Sequence, residues 1–174
     1  HVSDVSFRVN EAINVLRGNI QLSGSNIKTI AVTSSIANEG KSSIAFRLAK
    51  SMAGLEKRNI FIECDIRNST LQNSSDNVGE KKGFSEYLLG NISKEKIIYR
   101  TDDKYLDMIF TGAVAPNPSE LVSGPLFAEL KEFVRSVYDY VIVDPPQLNL
   151  VITGLLLAKQ CDGTVLVVES GRTD

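Results

Sequence analysis

Nine consecutive residues, Ser35-Ile36-Ala37-Asn38-Glu39-Gly40-Lys41-Ser42-Ser43, combine the residue types that hold a phosphate. Ser35 to Ser42 has the spacing of a P-loop, with Ser in place of the usual first Gly. Gly40 can take backbone angles that other residues avoid, so consecutive N–H groups can turn inward on an anion. A helix starting here adds its positive end. Lys41 would reach the β and γ phosphates, and the Ser42 hydroxyl would bind Mg²⁺. A metal–triphosphate site also needs carboxylates, because Mg²⁺ prefers hard oxygen ligands. "FIECDIR" places Glu63 and Asp65 on the same side of an extended chain, with Arg67 next, and "VIVDPP" delivers Asp144 in the Walker B manner. The chemistry expected is nucleotide binding, with Ser42 and the carboxylates of Glu63, Asp65 and Asp144 as candidates around the metal and phosphates.

Such residues work only if a scaffold brings them together. Ile13, Leu16 and Ile20 have helical spacing within residues 8–22. "KTIAVTSS" reads as a strand ending at the loop, and "SSIAFRLAKSMAG" as a helix stopped by Gly54. "NIFIEC" is a second buried strand, and Asn68 to Lys82 is a polar loop. "GFSEYLLG" is a short helix and "YLDMIFTG" a strand, after which Pro116 and Pro118 break the chain. An amphipathic helix begins at Pro125, followed by the strand "YVIVD", the helix "LVITGLLLAKQ" and the strand "GTVLVVES". Apolar strands alternating with helices predict an α/β fold with a mainly parallel central sheet and helices on both faces. Ligands of such sheets bind at the carboxyl ends of the strands, where "IAVTSS", "NIFIEC" and "YVIVD" finish.

The bulk properties limit the classes of function. At 174 residues, with 43% hydrophobic and 23% charged residues, the chain predicts one soluble globular domain. A net charge of -2 gives no electrostatic case for nucleic acid as a partner. Cys64 and Cys161 have no metal-like spacing and fit a reducing cytosol. No apolar run approaches a membrane span, and the N-terminus does not read as a signal peptide, so a cytoplasmic protein is expected.

Taken together, these elements resemble the bacterial tyrosine kinases, P-loop autokinases that regulate capsular and exopolysaccharide synthesis. "EAINVLRGNIQLS" is similar to their N-terminal helix, "TSSIANEGKSS" to Walker A, "IFIECDIR" to the distinctive Walker A′ and "YDYVIVDPP" to Walker B. "GFSEYLLGNIS" and "TGAVAPNPSELVSGPLFAEL" match segments outside the nucleotide site and are the most specific part of the likeness. The resemblance implies a P-loop kinase domain over residues 1–174, with the N-terminal helix in residues 1–25 and a tyrosine-rich tail absent. It implies ATP or ADP with Mg²⁺, Lys41 and Ser42 on phosphates and metal, and Asp65 and Asp144 completing the metal shell. Glu63 would accept the tyrosine proton, and Arg67 would order the loop beside the phosphates. A membrane adaptor of the chain-length-determinant type would recruit the chain to the inner face of the membrane through its cytosolic tail, with homo-oligomers possible on activation.

Several positions depart from the family pattern. Glu63 stands where Asp is usual, Gln147 where a second proline belongs, and Thr153 where Asp is common. Asn14 replaces the first arginine of a helical Glu-x-x-Arg-x-x-Arg motif that supports ring assembly, while Glu11 and Arg17 remain. Three readings stay open at this point: an active tyrosine kinase, a decayed nucleotide-binding regulator, and an ATPase switch without kinase activity. The five tyrosines, Tyr87, Tyr99, Tyr105, Tyr138 and Tyr140, are scattered and read as core or surface residues.

Overall fold

The computed structural model describes residues 2–34, 44–64, 81–113, 115–145 and 151–167. Its elements are α1 (Val2–Leu22), β1 (Thr29–Ser34), α2 (Ile44–Ala53), β2 (Asn59–Glu63), α3 (Phe84–Leu88), β3 (Tyr99–Arg100), β4 (Leu106–Ile109), α4 (Pro118–Val122), α5 (Pro125–Val137), β5 (Tyr140–Asp144), α6 (Val151–Lys159) and β6 (Gly163–Val167). The strands form one sheet in the order β3-β4-β2-β5-β1-β6. All neighbours are parallel except β3, which runs antiparallel to β4.

Alternation along the strands divides the core in two. Phe61, Ile142, Ile30 and Val32 face α1 and α2, where Ile13, Leu48 and Met52 meet them. Ala45, Ala49 and Ala53 leave room for α2 to lie close to the sheet, and Phe46 meets Phe61 edge-on at 5.4 Å. Ile60, Ile62, Val141 and Val143 face the other way, against Phe84, Phe127, Leu130, Val134 and Leu157 from α3, α5 and α6. Burial on both faces is why these strands read as continuous apolar runs.

A 3-10 turn at Lys94–Lys96, β3 and α4 escape the sequence reading. β3 is two residues long, too short for any alternation to register. Pro118, read as part of a chain break, occupies the first turn of α4, where its missing N–H would have no helical partner anyway.

A polar clamp closes the amino end of β1. Asp162 Oδ2 accepts the Lys28 and Thr29 N–H groups, each at 2.9 Å, and pairs with Arg135 of α5. Burial pushes the Asp162 pKa up, but the Thr29 and Lys28 N–H bonds and Arg135 outweigh it and hold it below the usual carboxylate range. A depressed folded pKa contributes stability above the unfolded value, near pH 4, and loses it as pH falls through the folded value. The stability gap between wild type and Asp162→Asn should therefore be constant between about pH 5 and 8 and close below about pH 4. Urea unfolding across that range measures it.

Candidate active site at the carboxyl end of the sheet

β2 and β5 lie side by side in register, and their last residues, Glu63 and Asp144, are direct partners. Each is two residues beyond an apolar side chain on the α2 face, Phe61 and Ile142, so alternation puts both acidic residues on that face too. The ladder continues one step further, with the Cys64 N–H donating to the Asp144 carbonyl at 3.0 Å. Two residues with carboxylate oxygens, side by side at the carboxyl end of a parallel sheet, fit a hard divalent cation such as Mg²⁺. Among the described residues no group of three or more His, Cys, Asp or Glu side chains forms a ready-made metal cage. The remaining expected ligands, Ser42 and Asp65, lie outside the described residues, as do Ser35 to Ser43 and Arg67. Gln147 is also outside them.

Glu63 is almost wholly buried, at 2% exposure. Its Oε1 accepts the Thr111 N–H at 3.3 Å, which ties the carboxylate toward the end of β4 on the side of β2 away from β5. Sequence reasoning missed Thr111, because a backbone N–H carries no side-chain signature.

Thr111 is itself held in a tight junction between "GFSE" and "FTGA". Phe84 N–H donates to the Phe110 carbonyl at 2.7 Å and Ser85 N–H to that of Thr111 at 3.0 Å. The Ser85 hydroxyl donates to the Ala113 carbonyl at 2.5 Å. Glu86 spans the junction, one carboxylate oxygen taking Gly83 N–H at 2.8 Å and the other Ala113 N–H at 2.9 Å. Both segments stand out in the sequence as likenesses outside the nucleotide site, and they meet directly beside Glu63.

Gly112 is required at this junction. Its φ is +80°, and a Cβ there would stand 2.1 Å from Glu86 Oε1. Gly112→Ala should cost on the order of 2–4 kcal/mol, from left-handed strain and crowding together. Urea denaturation should show this as a lower midpoint at unchanged slope.

Other expected positions resolve differently. Thr153 is buried, its hydroxyl 2.6 Å from that of Ser119, so the position that departs from Asp links α6 to α4. Gln160 reinforces that link through Nε2, which donates to the Val122 carbonyl at 2.7 Å. On α1, Glu11 and Asn14 are exposed, whereas Arg17 is half-buried and donates to Ser51 of α2 at 3.1 Å. None of the five tyrosines is exposed. The Tyr87 hydroxyl donates to the Leu126 carbonyl at 2.6 Å and that of Tyr99 to the Lys82 carbonyl at 2.7 Å. Burial raises the pKa of both, with nearby carboxylates adding to it.

No protein-family model matches the chain. It is 36% identical over 165 residues to the tyrosine-protein kinase CpsD of Streptococcus agalactiae, covering 95% of this chain and 72% of that one. It is 32% identical over 166 residues to the tyrosine-protein kinase YwqD of Bacillus subtilis, covering 94% and 70%. The kinase domain of the Escherichia coli tyrosine kinase ETK superposes with a TM-score of 0.81 at 28% identity, over 94% of this chain and 65% of that one. Sheet order, paired acidic strand ends and these likenesses agree, and the chain belongs to the bacterial protein-tyrosine kinases built on the P-loop fold.

Proposed function

We propose that this protein-tyrosine kinase of the capsular and exopolysaccharide type divides its chemistry between Glu63 and the P-loop. Lys41, with the N–H groups of Ser35 to Ser43, would bind the phosphates of ATP or ADP. Ser42, Asp65 and Asp144 would hold Mg²⁺, which when bound neutralises phosphate charge. Arg67 would order the chain beside the phosphates. Glu63 would take the proton from a tyrosine hydroxyl as its oxygen bonds to the γ-phosphorus, while the bond from that phosphorus to the bridging oxygen breaks and ADP leaves. Phosphoryl transfer depends mostly on positioning and charge stabilisation, so a well-oriented base and a phosphate cradle are the parts such a site needs.

The observation that carries this division is the Thr111 N–H bond to Glu63. It aims Glu63 toward β4 while its register partner Asp144 stays on β5. The bond gives the Glu63 carboxylate a fixed donor on the β4 side, and a base that is held in place suits this role.

Control follows from α1. With Asn14 exposed where the family has arginine and Arg17 engaged with Ser51, self-assembly through this helix is weakened. No helix among the described residues is long and apolar enough to cross a membrane. The cytosolic tail of a membrane adaptor would bring the domain to the inner face of the membrane and select its competent geometry.

The test is incubation with ATP labelled on the γ-phosphate and a tyrosine peptide, with and without a fused adaptor tail. Label should reach tyrosine slowly in the lone, mostly monomeric domain and faster with the tail. Label released only as free phosphate would mean an ATPase switch, and no turnover would mean a decayed regulator. Fast labelling that the tail does not change would overturn adaptor control.

A further inference from the structure

Glu63 takes its donor from the peptide that joins Phe110 to Thr111, and this peptide is held from both sides. Its N–H belongs to Thr111 and reaches Glu63 Oε1 at 3.3 Å. Its carbonyl belongs to Phe110 and points the opposite way, accepting the Phe84 N–H of α3 at 2.7 Å. The unit is trans and planar, so fixing its oxygen also fixes the direction of its N–H. Whatever seats the first turn of α3 therefore aims the donor at Glu63.

Two residues make that seat. Gly83 permits the close approach, because a Cβ there would overlap the Phe110 carbonyl oxygen and stand 2.8 Å from the Gly112 nitrogen. Both neighbours are backbone and cannot swing aside as the end of a side chain can. Glu86 then holds the approach closed. One of its oxygens accepts the Gly83 N–H, which closes the first turn of α3. The other accepts the N–H of Ala113, two residues beyond Thr111. Capping α3 needs only the first bond. The second reaches across to the strand end that carries the donor for Glu63.

We propose that Glu86 is a positioning residue for phosphoryl transfer. It keeps α3 against the Phe110–Thr111 peptide, and through the Thr111 N–H it keeps the Glu63 carboxylate where an acceptor hydroxyl meets it. This role rests on the reading of Glu63 as the base, and in it Glu86 touches no reacting group. Displacing a catalytic group by about 1 Å through a change away from the chemistry can cost about 10²-fold in rate, which sets the size of the effect.

Glu86→Gln is the test. The amide oxygen can keep the Gly83 bond, but the NH₂ group then faces the Ala113 N–H, donor against donor. In the ¹⁵N-labelled chain, hydrogen exchange at the Thr111 amide should quicken by roughly ten-fold or more, while amides in β1 and β5 keep their rates. Single-turnover labelling of a tyrosine peptide should fall about ten- to a hundred-fold with ADP affinity unchanged. In a Glu63→Gln background, adding Glu86→Gln should lower labelling by no more than about two-fold, since no base is left to place. A purely structural role would give the same fall in both backgrounds. Ser85→Ala removes only the hydroxyl bond to the Ala113 carbonyl, so it should show the same pattern on a smaller scale even if Glu86→Gln does not fold. The positioning role is overturned if Thr111 exchange does not change, if neither variant lowers labelling, or if the fall is equal in the two backgrounds. Should Glu63→Gln itself leave labelling unchanged, the base assignment fails first and the positioning role falls with it.

Discussion

Glu63→Gln should leave nucleotide affinity nearly unchanged while lowering transfer to tyrosine by roughly 10²- to 10⁴-fold, the range over which a positioned general base contributes. The substitution conserves shape, and the amide oxygen can still accept the Thr111 N–H, so the junction beside β4 should survive. What it removes is the ability to take a proton. A fall in kcat without a matching change in ADP affinity is the signature, read by single-turnover labelling of a tyrosine peptide and by calorimetry. Asp65→Asn is the partner experiment and should raise the Mg²⁺ concentration needed for half-maximal activity. If Glu63→Gln abolished metal dependence and Asp65→Asn did not, the two roles would have to be exchanged.

Lys41→Met should weaken ATP or ADP binding roughly ten- to a hundred-fold. The lost charge-assisted bond to phosphate is typically worth about 1.5–3 kcal/mol, and each 1.4 kcal/mol is a factor of ten. Side-chain length is preserved, so the change isolates the ammonium group. Calorimetry on both proteins at fixed Mg²⁺ measures the difference directly, and equal affinities would remove Lys41 from the phosphate site. Because Lys41 and Glu63 act at different stages, the first variant should fail mainly in binding and the second in turnover.

The strand ends bearing Glu63 and Asp144 were legible before any coordinates, because a buried parallel strand is an apolar run and an acidic residue closing it stands out. Their adjacency was not legible. It depends on β5 inserting between β1 and β2, an order set by packing across the whole sheet. The Phe84–Glu86 and Thr111–Ala113 junction was visible only as two unrelated motifs, since every bond joining them uses a backbone group of at least one partner. Gly112 could have been suspected as a turn, but its reason, the Glu86 carboxylate pressed against it, is a tertiary contact. Asn59 was hidden for the opposite reason. Inside "NIFIEC" it reads as one more residue of a buried strand, and only the packing shows that its oxygen lacks a donor among the described residues.

The brevity of β3 bears on how the chain behaves at high concentration. A long, flat, unpaired strand at the side of a sheet offers its N–H and C=O groups to any passing extended chain, and that is a common start of aggregation. Among the described residues this side of the sheet ends in the two residues Tyr99 and Arg100, running opposite to their neighbour, and Arg100 is exposed. So short a template, bearing a guanidinium that repels another copy of itself, gives an incoming strand little to zip onto. The parallel interior, whose long-range pairings form slowly, is thereby shielded on this side from mispairing with other molecules.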